Sequence, residues 1–113
     1  MKLFINGKQV PVTWENNQSV QAIQEDTKKR TIHASLEKYG DFEQFGPLNH
    51  TYPSQDRRQR AESGDIMLYL SSMIVLFYGT NIWEYTKLGH IDLGPEEMKE
   101  SLKNPVQIEL ASD

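Results

Sequence analysis

The chain has 113 residues, of which 37 % are hydrophobic and 25 % charged, and a net charge of −4; this describes one folded domain, too short for two cores and too apolar for disorder. A negative balance offers no general field to a phosphate backbone or an anionic lipid surface, so nucleic acid is not an expected partner. Cysteine is absent, which excludes disulfides, thiolate nucleophiles and thiolate-ligated zinc.

The opening "MKLFINGKQVPVTW" predicts a hairpin. Leu3 and Ile5 alternate with Lys2 and Phe4, Asn6-Gly7 supplies a turn with φ > 0, and Val10, Val12 and Trp14 alternate again. Pro11 removes one backbone donor and places the second strand at a sheet edge. The same segment has no apolar core of a signal peptide, and the longest apolar run falls far short of the roughly 20 residues of a membrane helix. A soluble, cytoplasmic protein is expected, or an exported or lipid-anchored one if a leader was trimmed from a longer precursor.

In "ENNQSVQAIQEDTKK", the helix-start residues Asn16, Asn17 and Ser19 precede Val20 and Ile23 at helical spacing, which predicts a helix of about three turns with a narrow apolar stripe. "TIHASLEKYG" alternates Ile32, Ala34 and Leu36 with His33, Ser35 and Glu37, a half-buried strand. Gly40 and Gly46 then bracket "DFEQF", and from Pro47 to Ser63 little apolar recurs except Leu48 and Tyr52. A structureless loop of that length is more often functional than not. Its "RRQR" cluster reads as solvated.

"SGDIMLYLSSMIVLFYG" reads as a hairpin, given Ile66, Ile74, Val75 and the central Ser71-Ser72. A two-residue Ser71-Ser72 loop would pair Leu68 with Val75, Ile66 with Phe77 and Met67 with Leu76. One face would then hold Ile66, Leu68, Leu70, Met73, Val75 and Phe77 for the core. The other would hold Asp65, Met67, Tyr69, Ile74, Leu76 and Tyr78, suited to a covering helix or a cleft. Serine is a poor φ > 0 residue, and a longer loop would shift this register by one and exchange faces. After Gly79-Thr80-Asn81, "IWEYTKLGHI" alternates Trp83 and Tyr85 with Ile82, Glu84 and Thr86. Pro95 opens a short helix with acids in its first turn, and "VQIELA" closes the chain as a strand alternating Val106, Ile108 and Leu110. About seven strands and two helices predict a mainly β barrel or roll with helical caps.

The block "YGDFEQFGPLN" from Tyr39, with "SGDIMLYLSSMIVLFYGTNIWEYTKLGHI" from Ser63, resembles the bacterial cyclophilin-like domain family. The flanking hairpin, helices and closing strand follow in family order, so the resemblance spans residues 1–113 as a single domain. It implies a closed cyclophilin-like β-barrel with two short helices covering its ends. It does not imply an activity, because fold does not determine function.

Three functions are weighed. Peptidyl-prolyl isomerisation needs an apolar proline pocket and an arginine donor to the twisted imide; Arg30, Arg57, Arg58 and Arg60 lie outside any Phe-His-Arg or glutamine-containing segment like those of active cyclophilins. A hydrolase or metal enzyme finds no support, since His33, His50 and His90 lack ligand spacing and no nucleophile elbow or phosphate loop occurs. Asp65, after Gly64, reads as a turn-bonding carboxylate. The working expectation is a non-catalytic module binding a peptide or small ligand, with no cofactor and no metal. Its candidate wall is Tyr39, Phe42, Glu43, Tyr52, Arg57, Tyr78, Asn81, Trp83 and Tyr85: aromatics for flat apolar contact, a carboxylate and an amide to orient the ligand. The competing reading makes most of these aromatics core, Asn81 a turn residue and Glu43 the partner of an arginine.

Overall fold

The structure, a computed structural model, describes residues 1–113. Asn6 and Gly7, at φ 49° and 82°, form the two-residue turn expected between β1 (Lys2–Ile5) and β2 (Lys8–Val10), the left-handed geometry that matches strand twist. β3 (Val12–Trp14) and α1 (Gln18–Thr27) follow. Asn17 caps α1 by accepting from the Val20 N–H at 2.9 Å, and its amide also donates to the Lys87 carbonyl at 2.8 Å. One side chain thus starts the helix and ties it to the sheet. Asn17→Ala is expected to lower stability by about 1–2 kcal/mol, the range of a lost cap plus a second hydrogen bond, read as a lower urea midpoint with unchanged slope.

Next come β4 (Ile32–Ser35), β5 (Glu37–Tyr39), β6 (Glu43–Pro47), β7 (Arg57–Ala61), β8 (Asp65–Tyr69), β9 (Met73–Phe77), β10 (Asn81–Ile91), α2 (Pro95–Ser101) and β11 (Gln107–Ala111). They form a smaller sheet ordered β2-β1-β11-β4 and a larger one ordered β3-β10-β8-β9-β6-β5, with β7 paired to β10. Mainly β structure with two short helices is as expected, but the closed barrel is corrected: both sheets are open. The chain crosses between them at Pro11 and Leu36, corners that carry it from β2 to β3 and from β4 to β5 without a continuous ladder. Pro11 has no N–H to give, and the Leu36 N–H is taken by the Val106 carbonyl. At Gly46 any side chain would run into the Ser35 carbonyl and the Leu36 side chain, so glycine allows β6 to lie close beneath this second corner.

The main core fills the space between the sheets. Leu3, Ile5, Ile108 and Leu110 from the smaller sheet meet Ile66, Leu68, Ile74 and Leu76 from the larger, with Val20 and Ile23 of α1 and Met98 and Leu102 at α2 closing it. Burial of such side chains contributes roughly 1.5–3 kcal/mol each. No helix is long and apolar enough to cross a membrane.

The hairpin register differs from the two-residue loop expected at Ser71-Ser72. Ile66 faces Leu76, Met67 faces Val75 and Leu68 faces Ile74, because the turn is centred on Leu70 and Ser71, at φ 52° and 62°, with Ser72 added before β9. Left-handed leucine and serine are strained, but Ser71 is held there: its carbonyl accepts from the Tyr52 N–H at 2.8 Å and its hydroxyl meets that of Ser54 at 2.6 Å. Ile66 and Leu68 keep their place in the main core, while on β9 Ile74 and Leu76 replace Val75 and Phe77. Val75 and Phe77 turn to the opposite face of the larger sheet. There they form a second apolar cluster with Ala61, Met67 and Tyr85, flanked by Phe42, Phe45 and Tyr69.

The long loop is also shorter than expected. β6 occupies residues 43–47 and pairs with β9, and "RRQRA" is not a solvated loop but strand β7, paired antiparallel with the first half of β10. Residues 48–56 remain irregular.

Candidate functional site

The outer face of the larger sheet, away from the smaller one, carries an open cleft of about 460 Å³. Strand periodicity places its walls. Glu43 and Phe45 alternate with Gln44 and Gly46 on β6, and Asn81, Trp83 and Tyr85 alternate with Ile82 and Glu84 on β10. Tyr39 on β5 is directly opposite Glu43, which is directly opposite Phe77 on β9. Tyr39, Phe42, Glu43, Asn81, Trp83 and Tyr85, six of the nine candidates, therefore line one cavity, together with Phe45, Tyr69 and Val75.

The rings meet edge to face. Tyr39 lies 6.0 Å from Phe42 and 6.1 Å from Phe45, Tyr69 lies 6.1 Å from Tyr85, and Phe77 beneath lies 5.5 Å from Tyr85. Such contacts fix ring orientation, the edge of one ring meeting the face of the other. Tyr39 and Trp83 form the lip, 61 % and 48 % exposed, whereas Tyr85 is buried at 3 %. Outside the lip, the Arg58 guanidinium lies 5.9 Å from the Trp83 ring centroid and 3.6 Å from the Glu84 carboxylate.

Two polar groups stand in this aromatic wall. The Asn81 amide donates to the Tyr85 hydroxyl at 2.9 Å, so Asn81 serves the cleft rather than the turn before it, and the hydroxyl keeps its own proton to donate. Burial is the largest influence raising the Tyr85 pKa above the ordinary phenol value, with the Asn81 hydrogen bond opposing it. Glu43 is 7 % exposed. Burial alone pushes its carboxyl up from 4.5 to about 7, because no hydrogen bond or basic side chain compensates the lost hydration. The arginine partner considered for Glu43 is absent.

Three candidates lie elsewhere. Tyr52 is buried in the main core, where its hydroxyl donates to the Asp26 carboxylate of α1 at 2.7 Å; burial first, then the Asp26 bond and charge, pushes it up to about 12. It anchors the 48–56 segment to the helix. Tyr78 packs against the main core with its hydroxyl enclosed and unpartnered, and burial is the first cause of its raised pKa. Arg57 lines a separate polar pocket of about 230 Å³ with Asn17, Ser54 and Thr86. Three wall residues were not among the candidates: Phe45, Tyr69 and Val75. Tyr69 was legible as facing away from the core, and Phe45 would have followed from treating "EQF" as alternating.

Asp65 bonds a turn as expected, accepting from the Glu62 N–H at 2.8 Å, and also meets His90 Nδ1 at 2.8 Å. No group of three histidine or acidic side chains is placed to hold a metal ion.

Two packed open sheets, two short helices and an aromatic cleft on the outer sheet face define a mainly β domain with a ligand-sized concavity. The chain matches the cyclophilin-like family over residues 3–111 and belongs to that family. No curated protein and no solved structure matches it.

Proposed function

We propose that the chain is a non-catalytic binding module whose outer-face cleft takes an extended peptide or a small ligand. The observation that carries this reading is the open, aromatic-walled cavity with an unpaired carboxyl and an amide–phenol pair in its wall. Apolar concavities with a few convergent polar groups are the usual form of ligand sites. Peptidyl-prolyl isomerisation is the less supported reading. Its barrier of ~18–20 kcal/mol calls for a strong donor to the twisted imide, and no arginine lines the cleft.

A thermal-shift screen of proline-containing peptides and small aromatic or charged compounds tests the binding reading, with hits mapped on the indole N–H resonances of Trp83 and Trp14. Hits are expected to shift the Trp83 signal selectively. Trp83→Ala, at a half-exposed position that leaves the fold intact, is expected to weaken them at least tenfold. Hits that leave Trp83 unmoved, or a screen with none, would reject the assignment. A coupled isomerisation assay on the same peptides is expected to stay at background; turnover that Trp83→Ala abolishes would move the chain to the isomerase reading.

A further inference from the structure

Resting on the binding-module reading, we propose that the cleft selects a cationic head group, a methylated or quaternary ammonium on an apolar body, with Glu43 as its counter-charge and the surrounding ring faces as its cage.

The argument starts from what the cleft lacks. Glu43 is more than nine-tenths buried and lines the cavity, yet no hydrogen bond or ion pair within the chain reaches its carboxylate. No lysine, arginine or histidine lines the cleft either. Two other buried polar side chains with comparable demands are matched: Gln44 makes three hydrogen bonds and Asp65 is bonded by a backbone N–H and by His90; the enclosed hydroxyls of Ser63 and Tyr78 lack partners but carry no charge. A solitary carboxyl among aromatic rings is costly to ionise, and an arriving cation supplies the missing partner.

The walls narrow the kind of cation. Ring faces attract positive charge through their quadrupoles, Trp most strongly, and desolvated sites gain most from this. Trp83 already holds a guanidinium 5.9 Å from its centroid, so this ring meets positive charge within the chain itself. A primary ammonium brings three N–H donors, each needing an acceptor. The lining offers the Glu43 carboxylate, the Asn81 carbonyl oxygen and phenol oxygens, and the Tyr85 oxygen already accepts from Asn81. Methylation removes those donors, spreads the charge over apolar surface and suits aromatic walls. A volume of about 460 Å³ exceeds a trimethylammonium alone and leaves room for an attached apolar chain.

The groups facing Glu43 are phenols, Tyr39 from β5, Tyr69 from β8 and Tyr85 from β10, with Phe77 from β9; Asp41 and Tyr78 stand nearby at the ends of β5 and β9. None of these is a cation that would compete with the ligand for Glu43. The cation binds the ionised carboxyl, so uptake at pH 6–7 displaces a proton from Glu43 to the buffer.

Choline and its uncharged isostere 3,3-dimethylbutan-1-ol, titrated into the full chain and followed at the Trp83 indole resonance and by calorimetry, separate the two claims. Choline is expected to bind at least tenfold more tightly than the isostere, to release protons in buffers of differing ionisation enthalpy, and to weaken as pH falls from 8 to 5. Glu43→Gln, which keeps the shape of the side chain, is expected to remove the choline preference and the proton release while leaving the isostere unchanged. Equal binding of the two probes, or a choline affinity indifferent to Glu43→Gln, would overturn the cationic assignment and leave the binding module standing. If neither probe moves Trp83 while peptides from the screen do, the cation assignment alone fails.

Discussion

Gln44→Leu is expected to cost about 3–4 kcal/mol, the largest loss of any single substitution considered for this chain. Gln44 is fully buried at the start of β6. Its amide nitrogen donates to the Leu102 and Asn104 carbonyls at 2.8 Å each, and its amide oxygen accepts from the Val106 N–H at 3.1 Å. Those three backbone groups lie where α2 ends and β11 begins, the place where a helix leaves its last carbonyls without intrahelical partners. Pro105 lies between them and has no N–H to contribute. Leucine nearly conserves volume, so the expected loss comes from unpaired polar groups at roughly 1–3 kcal/mol each, reduced by relaxation of the connection. Urea unfolding should show a lower midpoint with unchanged slope, and the melting temperature should fall by roughly 12 °C or more. Exposed Gln107→Ala serves as a control, expected within about 0.5 kcal/mol of the parent. A loss below about 1 kcal/mol for Gln44→Leu would mean that the connection finds other partners.

Gln44 also shows why β6 escapes a reading by periodicity. "EQFGP" presents two polar residues and a glycine; its inward glutamine is satisfied by a helix end some 60 positions away, and its inward glycine is required by the β4–β5 corner. Neither reason is local. β7 escapes for a related cause: Arg57, Arg58 and Arg60 are exposed along a strand whose stability comes from pairing with β10, and Ala61 alone is buried. The opening hairpin, α1 and β11 were legible because turn chemistry, capping and alternation agree within each segment. The β8–β9 register turned on one long-range fact, that Tyr52 and Ser54 hold Ser71 in a left-handed conformation.

The lining of the candidate cleft was legible to the same depth. Aromatic-rich blocks pointed to Tyr39, Phe42, Trp83 and Tyr85, but residue type alone does not separate these from Tyr52 and Tyr78, which lie outside the strands and pack into or against the main core. Glu43 stood out as a polar residue needing a partner. The finding that it has none inside the chain is what makes the cleft chemically distinctive.

Glu43→Gln is therefore expected to stabilise the protein, by about 2 kcal/mol at pH 8 and by close to nothing at pH 4. Burial raises the Glu43 carboxyl to about 7 from an unfolded value of 4.5, and between these pH values the folded chain holds more protons than the unfolded one. Stability then falls as pH rises through that window and levels off above about 7. The full displacement corresponds to about 3 kcal/mol; water entering the open cleft reduces this to the figure given. Glutamine fills the same space without a charge to desolvate, so the difference between the two proteins should open from pH 4.5, reach its plateau near pH 7 and correspond there to roughly 8 °C in melting temperature. Comparing the pair cancels the opposite contributions of Asp26, lowered first by its Tyr52 hydrogen bond, and Asp113, lowered first by the N-terminal amine. A pH-independent difference, or a less stable variant at pH 8, would show that the carboxyl is compensated in the fold. On the cation assignment a saturating quaternary ammonium should reverse the order of the two proteins at pH 8.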